Sequence, residues 1–245
     1  MNIKSDNPPY LSVIIPAFNE ESIIRTTLEN VLEYLTAQKF HYEVIVVNDG
    51  SSDSTANIVS EFTSLNSKVK LYNIEENTGK GWAVKKGMLG AKGRYRLFMD
   101  ADNSTSIDHF ELMKPILESG AEIIIGSRRV KGAKIAVHQT WLRENLGRVF
   151  NLAVRTINGL PYNDTQAGFK VFSNTAAEKI FKLQTLSGWA FDIELLLLGK
   201  NLGYEIQEVP ITWKNDSNSH VRFSGMMKML IDVLKIRFKT LPNDI

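Results

Sequence analysis

The sequence predicts an α/β fold with a mostly parallel central sheet flanked by helices, and three observations support this prediction. Strand and helix patterns alternate through the first half of the chain, as they do in right-handed βαβ crossovers. The run Val44-Ile45-Val46-Val47 is continuously apolar and β-branched, as expected for a strand covered on both faces. A chain of 245 residues, 43% of them hydrophobic, is long enough to bury one substantial core.

Short apolar runs and helical periodicity define the elements of the first half. The predicted strands are Leu11–Ile15, Glu43–Val47, Val69–Ile74, Tyr95–Phe98 and Ala121–Ile125. Between them, apolar residues at helical spacing predict a helix over residues 23–35 with Ser22 as its cap. A second helix opens at residues 53–55, a third follows the glycines after Asn77, and a fourth starts near Asp108.

The second half is less regular and richer in helix. Helices are predicted over His138–Asn158, Ser173–Phe181 and Phe191–Lys200, and one edge strand over Tyr204–Trp213, where Pro210 removes a hydrogen-bond donor. These elements predict a flexible N-terminus over residues 1–10, one domain over residues 11–215, and a loop with a C-terminal amphipathic helix over residues 216–245.

The last predicted helix, Phe223–Leu241, carries apolar and basic faces. Its apolar stripe is Phe223, Met227, Leu230, Leu234, Phe238 and Leu241, and Lys228, Lys235 and Lys239 lie on the other face. Such a helix either docks on the sheet or lies in a membrane interface. Periodicity alone favours docking.

Bulk composition excludes several classes of protein. The absence of cysteine excludes disulfides and thiolate metal sites. A net charge of +2 without a broad basic block argues against nucleic acid as a partner. Residues 1–10 are polar with two prolines, which is unlike a signal peptide, and no apolar run is long enough to cross a bilayer.

Two carboxylates, Asp100 and Asp102, follow the strand Tyr95–Phe98 directly. Open α/β sheets bind ligands at the carboxyl ends of their strands. In extended chain, residues two apart point to the same side, so both carboxylates could face one cation. Oxygen ligands of this kind suit Mg²⁺ or Mn²⁺. A solvated turn closed by an Asx cap is the alternative.

Polar loops follow two other predicted strands. Asp49, after the second strand, can accept hydrogen bonds from a base or from ribose hydroxyls, or it can cap a turn. Lys80 lies in the run Asn77–Gly81, which resembles a phosphate cradle but lacks the spacing of a P-loop. The absence of Gly-x-Gly-x-x-Gly after the first strand argues against a dinucleotide-dependent dehydrogenase.

The strand Ala121–Ile125 leads to Arg128 and Arg129, whose guanidinium groups can clamp a phosphate or form surface ion pairs. Farther along, Phe169, Trp189 and Phe191 are favoured as core residues, and Asp192 as a helix cap.

Several of these runs together resemble glycosyltransferase family 2, the inverting enzymes with the GT-A fold, which is Rossmann-like. The runs are Ser12–Glu20, Val46–Asp53, Asn77–Gly81 and Met99–Asp102. Gly126–Arg128, Asp164–Lys170 and Trp189–Leu196 are similar to its polyprenyl-phosphate branch, and most similar to the dolichyl-phosphate β-glucosyltransferases. The resemblance spans roughly residues 11–239.

This resemblance implies a hexosyltransferase that moves glucose from a nucleotide sugar, expected to be UDP-glucose, to a polyprenyl or dolichyl phosphate with Mg²⁺ or Mn²⁺. Pro16, Phe18, Glu20, Asp49, Lys80, Asp100 and Arg222 are then expected to bind the donor. Asp100 and Asp102 would ligate the metal, and Arg128 and Arg143 would grip the acceptor phosphate. If the acceptor were a sugar hydroxyl, Asp192 would be the candidate base.

The resemblance also leaves alternatives. Relatives that use GDP-mannose often carry Gln where this chain has Ser104, which weakens a mannosyl assignment. A polysaccharide acceptor, a nucleotidyltransferase and a non-catalytic nucleotide-sugar binder are the other possibilities. A lipid-phosphate acceptor would place the protein in the cytoplasm, peripherally on the inner face of a membrane.

Overall fold

A computed structural model describes residues 8–137, 141–214, 229 and 232–236, with only the backbone described at 141–146 and 148–150. Its strands are Leu11–Ala17 (β1), Tyr42–Asp49 (β2), Val69–Ile74 (β3), Tyr95–Met99 (β4), Ile123–Ser127 (β5), Lys134–Val137 (β6), Phe169–Ser173 (β7), Ile206–Pro210 (β8) and Thr212–Lys214 (β9). Its helices are Ile24–Ala37 (α1), Thr55–Leu65 (α2), Lys80–Gly90 (α3), Phe110–Glu118 (α4), Trp141–Asn158 (α5), Asn174–Leu183 (α6) and Phe191–Asn201 (α7), with a 3-10 turn at Ile107–His109.

Seven strands form the main sheet in the order β3-β2-β1-β4-β7-β5-β8. All of its pairings are parallel except those of β7, which runs antiparallel to β4 and β5. The predicted α/β fold with a mostly parallel sheet is therefore confirmed. The carboxyl ends of β1, β2, β4 and β5 meet at one edge, and the antiparallel β7 begins at that same edge.

A hydrophobic core covers each face of the sheet. Val44 and Val46 of β2 point into a core shared with α1, α2 and α4, whereas Ile45 and Val47 point into a core shared with α3, α6 and α7. Because successive strand residues face opposite sides, a strand without polar alternation must be covered twice. The prediction drawn from this strand is confirmed.

The structure differs from the sequence prediction in four local features. The strands β6 and β7 are not predicted, because both are short and residues 164–170 are recognisable from the sequence only as a motif. The predicted strand Tyr204–Trp213 is two strands, since β8 pairs with β5 in the main sheet and β9 pairs with β6 in a separate two-stranded sheet. Ser22 does not cap α1, whose N-cap is Ile23 without a side-chain hydrogen bond.

Most of the predicted helix Phe223–Leu241 lies outside the described residues, but residues 232–236 are helical. Met229 and Val233 are buried in the same core as α3 and α7, as is Ile236, whereas Leu234 is 43% exposed. The described turn thus docks through a face other than the one that carries Leu234. Among the helices that the structure describes, none combines the length and the apolar character needed to cross a bilayer.

Candidate active site at the carboxyl edge of the sheet

Asp100 directly follows β4 and lies at the carboxyl edge of the sheet. Its Oδ1 accepts a hydrogen bond from the ammonium of Lys80 at 2.5 Å, and its side chain is 31% exposed. Lys80 is the first residue of α3, so β4 and α3 together bring the two groups into contact. Two of the predicted donor-binding residues, Asp100 and Lys80, are therefore adjacent.

Asp102 does not lie two residues along an extended strand from Asp100, as the sequence analysis assumed. β4 ends at Met99, and Asp102 closes a turn in which its Oδ1 accepts from the backbone N–H of Ser104 at 2.9 Å. Burial and the charge of Asp100 raise the pKa of Asp102. The Asx turn does not separate Asp102 from Asp100, because the two carboxylates still repel one another across the turn. Both alternatives, the turn and a shared cation, are therefore compatible.

The backbone at Gly168 makes room for the Asp100 carboxylate. Met99 pairs with Phe169 across β4 and β7, which places Asp100 beside Gly168. A Cβ atom at residue 168 would lie 2.1 Å from Asp100 Oδ2 and 2.4 Å from both Cγ and Oδ1. Any side chain at this position would therefore move the carboxylate.

We expect Gly168→Ala to reduce catalytic activity at this site roughly 100-fold while the protein stays folded, because misplacing a functional group by about 1 Å costs this much. The methyl meets a side chain that can rotate away, so the melting temperature should fall little. Steady-state kinetics and thermal melting check both effects. Gly147→Ala in α5 is the control, since no described atom lies within 4 Å of its added Cβ. Unchanged kinetics in Gly168→Ala would mean that residue 168 does not position Asp100.

Arg128 follows β5 and forms a two-pronged ion pair with Asp164. Its Nε and Nη2 donate to the two carboxylate oxygens of Asp164 at 2.7 and 2.9 Å, and its backbone N–H donates at 3.0 Å. Burial alone would raise the pKa of Asp164, but the charge and hydrogen bonds of Arg128 hold it well below its ordinary value. Of the two alternatives for the arginines after β5, a phosphate clamp or a surface ion pair, Arg128 forms an ion pair. Its partner Asp164 is buried and does not lie at the surface.

The loop that carries Asp164 is itself fastened from β8 and α5. The carboxylate of Glu208 accepts from the backbone N–H groups of Asn163 and Asp164, at 2.8 and 3.0 Å. Asn151 of α5 accepts from the Thr165 hydroxyl at 3.0 Å. Arg128 is therefore held in a fixed orientation, with its guanidinium carbon 5.4 Å from the centre of the Trp213 ring.

Asp192 is a buried partner of Lys170 and not a helix cap. α7 begins at Phe191 with Ala190 as N-cap and no side-chain cap. The ammonium of Lys170, which is 0% exposed, donates to Asp192 Oδ1 and also to the carbonyl of Ala167. Burial raises the pKa of Asp192, and the charge of Lys170 opposes this rise.

Asp49 organises the loop before α3. Its Oδ1 accepts from the backbone N–H and hydroxyl of Thr78, at 2.9 and 2.8 Å, and its Oδ2 accepts from the N–H of Gly79 at 2.9 Å. The carboxylate is buried, and both of its oxygens accept hydrogen bonds from within the protein. Its expected contact with the nucleotide base stays a prediction.

The loops after β1 and β2 are joined by hydrogen bonds. The backbone N–H of Glu20 donates to Thr55 Oγ1 at 2.8 Å, and that of Asn19 donates to Ser51 Oγ at 2.9 Å. Pro16 is a buried residue of β1, whereas Phe18, in the loop after β1, is 42% exposed. These joined loops carry Phe18 and Glu20, two of the residues expected to hold the nucleotide, and Pro16 precedes them in β1.

Trp189 lies beside Lys80 at the protein surface and not in the core, so the sequence prediction of a core residue is wrong. It is 39% exposed, and the Lys80 ammonium lies 5.0 Å from the centre of its ring. Its loop is held by Glu194, which accepts from the Thr185 hydroxyl at 2.6 Å and the Leu186 N–H at 2.8 Å. Phe169 and Phe191, by contrast, are fully buried as expected.

Two predicted residues cannot be placed. The side chain of Arg143 and all of Arg222 lie outside the described residues. Sequence reasoning for its part assigned no role to Gly168, Glu208 or Glu194. The only signal for Gly168 was its place in the motif after Asp164, because its effect depends on a strand pairing that periodicity does not reveal.

The residues present fit a dication of the Mg²⁺ type. Asp100 and Asp102 offer hard oxygen ligands, and the buried Oδ1 of the neighbouring Asn103 has no hydrogen-bond partner. In the described part of the chain, no group of three or more acidic, His or Cys side chains forms a closed metal cage. A site of this kind suits an ion that keeps waters or binds substrate phosphates.

Comparisons with known proteins agree on one family. The model of glycosyl transferase family 2 matches residues 12–181. A dolichyl-phosphate beta-glucosyltransferase of Trichomonas vaginalis is 37% identical over 238 residues, covering 93% of this chain and 72% of the relative. The enzymes of that name from Dictyostelium discoideum and Homo sapiens are 35% and 31% identical, covering 95% of this chain and 75% and 76% of theirs.

Solved structures share the fold at low identity. Glucosyl-3-phosphoglycerate synthase from Mycobacterium tuberculosis, in complex with Mn²⁺, UDP and glucosyl-3-phosphoglycerate, superposes with a TM-score of 0.63 at 20% identity, covering 94% of this chain and 80% of that one. TarS residues 1–349 from S. aureus, in complex with UDP-GlcNAc, gives a TM-score of 0.60 at 19% identity, covering 92% of this chain and 66% of that one. The fold expected from the sequence is thereby confirmed.

Proposed function

The chain belongs to glycosyltransferase family 2, and from this premise we propose that it transfers glucose from UDP-glucose to a polyprenyl or dolichyl phosphate. The observation that carries the proposal is the carboxyl edge of the sheet, where Asp100 contacts Lys80 and Asp102 lies in the turn that follows Asp100. The names of its relatives support glucose as the sugar and a dolichyl phosphate as the acceptor.

A lipid monophosphate needs little activation as a nucleophile. Its second ionisation has a pKa of about 6, so it is mostly dianionic near neutral pH. Such an oxygen can attack the anomeric carbon without a protein base. In-line displacement then converts an α-linked donor into a β-linked product, and UDP departs with the electron pair of the broken glycosidic bond.

The protein's contribution is to hold the two phosphorylated partners and the growing charge. Asp100 and Asp102 would hold Mg²⁺ or Mn²⁺, which neutralises negative charge on the departing diphosphate. Arg128, fixed by Asp164, would orient the acceptor phosphate together with Arg143, and Arg222 would close over the donor. Holding both reactants in line supplies much of the acceleration.

The environment of Asp192 favours a phosphate acceptor over a sugar hydroxyl. A general base must reach the proton that it removes, but the Asp192 carboxylate is buried and occupied by Lys170. The second candidate function, transfer to a polysaccharide hydroxyl, would require this carboxylate to leave its ion pair. We therefore propose a structural role for the pair.

The test compares acceptors and products. Purified protein with UDP-glucose and Mn²⁺ should glucosylate polyprenyl phosphate, release UDP without pyrophosphate, and ignore an oligosaccharide panel. The variant Lys170→Met/Asp192→Asn, which removes both buried charges, should retain this transfer within roughly tenfold, because no buried charge is left uncompensated. Pyrophosphate release would support a nucleotidyltransferase. Transfer only to oligosaccharides, abolished in the double variant, would support the polysaccharide alternative.

We also propose that the C-terminal segment brings the protein to the membrane that holds its acceptor. Met229, Val233 and Ile236 dock on the domain, whereas Leu234 faces outward in the stripe Phe223, Met227, Leu230, Leu234, Phe238 and Leu241. Of this predicted stripe only Leu234 lies among the described residues, and its exposure, with lysines nearby in the sequence, suits an anionic bilayer surface.

Liposome sedimentation tests this proposal. We expect the full chain to sediment with vesicles containing anionic lipid, and a chain ending at Asn218 to stay in the supernatant. Because that truncation also removes the docked residues, Leu234→Lys is the sharper variant: it should lower binding several-fold while melting at the unchanged temperature. Equal sedimentation of all three proteins would remove the segment from membrane binding.

A further inference from the structure

The Lys80 ammonium occupies the carboxylate that is expected to bind metal. Its Nζ lies 2.5 Å from Asp100 Oδ1 and 5.0 Å from the centre of the Trp189 ring. The Lys80 side chain is mostly buried, at 18% exposed, so water screens this ion pair only partly. Lys80 therefore neutralises Asp100 in the ligand-free protein.

Asp100 has little freedom to serve two cations at once. A Cβ atom at residue 168 would overlap the Asp100 carboxyl group, so the Gly168 backbone lies beside the carboxylate and takes up part of the space around it. A dication about 2.1 Å from a carboxylate oxygen, with an ammonium on the same group, would place two like charges a few ångströms apart. In a partly buried site such a contact between like charges is unfavourable.

A cation beside Asp100 offsets the negative charge at this edge of the sheet. Lys80 forms an ion pair with Asp100 at 2.5 Å, and Asp102 follows two residues later in the turn after β4. Lys170 is already paired with Asp192, and Arg128 with Asp164. Among the described ion pairs, Lys80 is the cation that contacts Asp100.

We propose that Lys80 is an exchangeable counterion, bound to Asp100 in the free enzyme and transferred to the donor diphosphate when a dication takes its place. This proposal rests on the proposed function and deepens it. Metal and donor then bind cooperatively. The metal requires the Lys80 ammonium to leave Asp100, and the donor diphosphate attracts the same ammonium away from Asp100. Free metal alone binds weakly, since it must expel Lys80 with no anion to receive it.

The position of Lys80 suits this transfer. It is the first residue of α3, directly after Gly79, and its flexible four-carbon stem allows the ammonium to relocate. The start of a helix also favours an anion such as a diphosphate. Because coupling between two ligands is reciprocal, removing the ammonium must alter metal binding and nucleotide binding together.

The test measures binding and not turnover. Isothermal titration of Mn²⁺, alone and with saturating UDP, is performed on the wild type, Lys80→Met and Lys80→Gln. Without UDP, both variants should bind Mn²⁺ roughly tenfold more tightly than the wild type, since the positive charge that competes for Asp100 is gone. UDP in the presence of Mn²⁺ should bind roughly tenfold more weakly, so the coupling between the two ligands falls. Lys86→Met is the control, because Lys86 lies on the same helix but donates to the Asn73 carbonyl.

The outcomes separate this proposal from the proposed function. If Lys80→Met binds free Mn²⁺ no more tightly than the wild type, the counterion role is overturned, while UDP binding that needs Mn²⁺ still supports the metal-dependent transferase. If no variant binds Mn²⁺ with or without UDP, both proposals fail. Circular dichroism and thermal melting confirm that each variant is folded, and Lys80→Gln provides a polar replacement if Lys80→Met does not fold.

Discussion

Asp100→Asn is expected to lower the rate of glucosyl transfer on the order of 10³-fold, equivalent to about 4 kcal/mol of transition-state stabilisation. The substitution removes the negative charge that would hold the dication, and it also removes the partner of Lys80. Asn keeps the size of the side chain, so it fits beside Gly168. The decisive measurement is kcat/KM with UDP-glucose and polyprenyl phosphate, together with the Kd of UDP in the presence of Mn²⁺.

The matched control is Glu61→Gln, which deletes a carboxylate from the surface of α2, where it pairs with Arg25. This control should transfer glucose at the wild-type rate. Thermal melting of Asp100→Asn should remain close to that of the wild type, since Asp100 is partly exposed. Near-normal turnover by a folded Asp100→Asn would contradict the assignment of the site. Turnover that survives EDTA would contradict the role of the metal.

Lys170→Met is expected to destabilise the folded protein by about 3–5 kcal/mol at neutral pH. The change leaves the buried Asp192 carboxylate without its cation and the Ala167 carbonyl without a donor. For a chain of this size the melting temperature should fall by roughly 10 °C. Chemical denaturation of the wild type and the variant gives the difference in unfolding free energy directly.

The pH dependence identifies the cause of this loss. Burial raises the pKa of Asp192 in the folded protein, and losing Lys170 should raise it further. The folded variant therefore binds a proton more readily than the unfolded chain, whose Asp pKa is about 3.9. By linkage the penalty is full above the raised pKa and shrinks as the pH falls towards about 4. Unfolding at pH 5 should show a smaller loss than at pH 8.

The double variant Lys170→Met/Asp192→Asn completes the cycle. It should recover much of the stability lost in Lys170→Met, because removing both charges leaves no buried ion unpaired. Equal destabilisation in the single and double variants, with no dependence on pH, would show that lost packing and not the unpaired charge is responsible.

Local patterns predicted most of the framework. The β-branched run of β2 and the apolar spacing of α1 and α4 gave the right elements, because burial on one or two faces leaves a period in the sequence. The position of Asp100 after β4 indicated the ligand edge, since parallel strands end together there. Ordered runs of motif residues also identified the family, which the match over residues 12–181 confirms.

Other features depend on residues far apart in the chain. β7 is short and is recognised only through its pairing with β4 and β5. Pro210 marked an irregularity, but the division of strands between two sheets depends on which neighbour each strand meets. Asp192 looked like a cap because it begins a helix, yet its partner Lys170 lies on a strand 22 positions earlier.

The sequence by itself determined the mostly parallel α/β sheet, the family and the acidic residues at the sheet's carboxyl edge. Only the tertiary structure decided the contacts of the site residues. Lys80 pairs with Asp100 beside Gly168, Asp164 pairs with Arg128, and Lys170 pairs with Asp192. The physical reason is that secondary structure follows from patterns within a few residues. Charge pairing and close packing at the site arise where distant strands and helices meet, and nothing in local periodicity records those meetings.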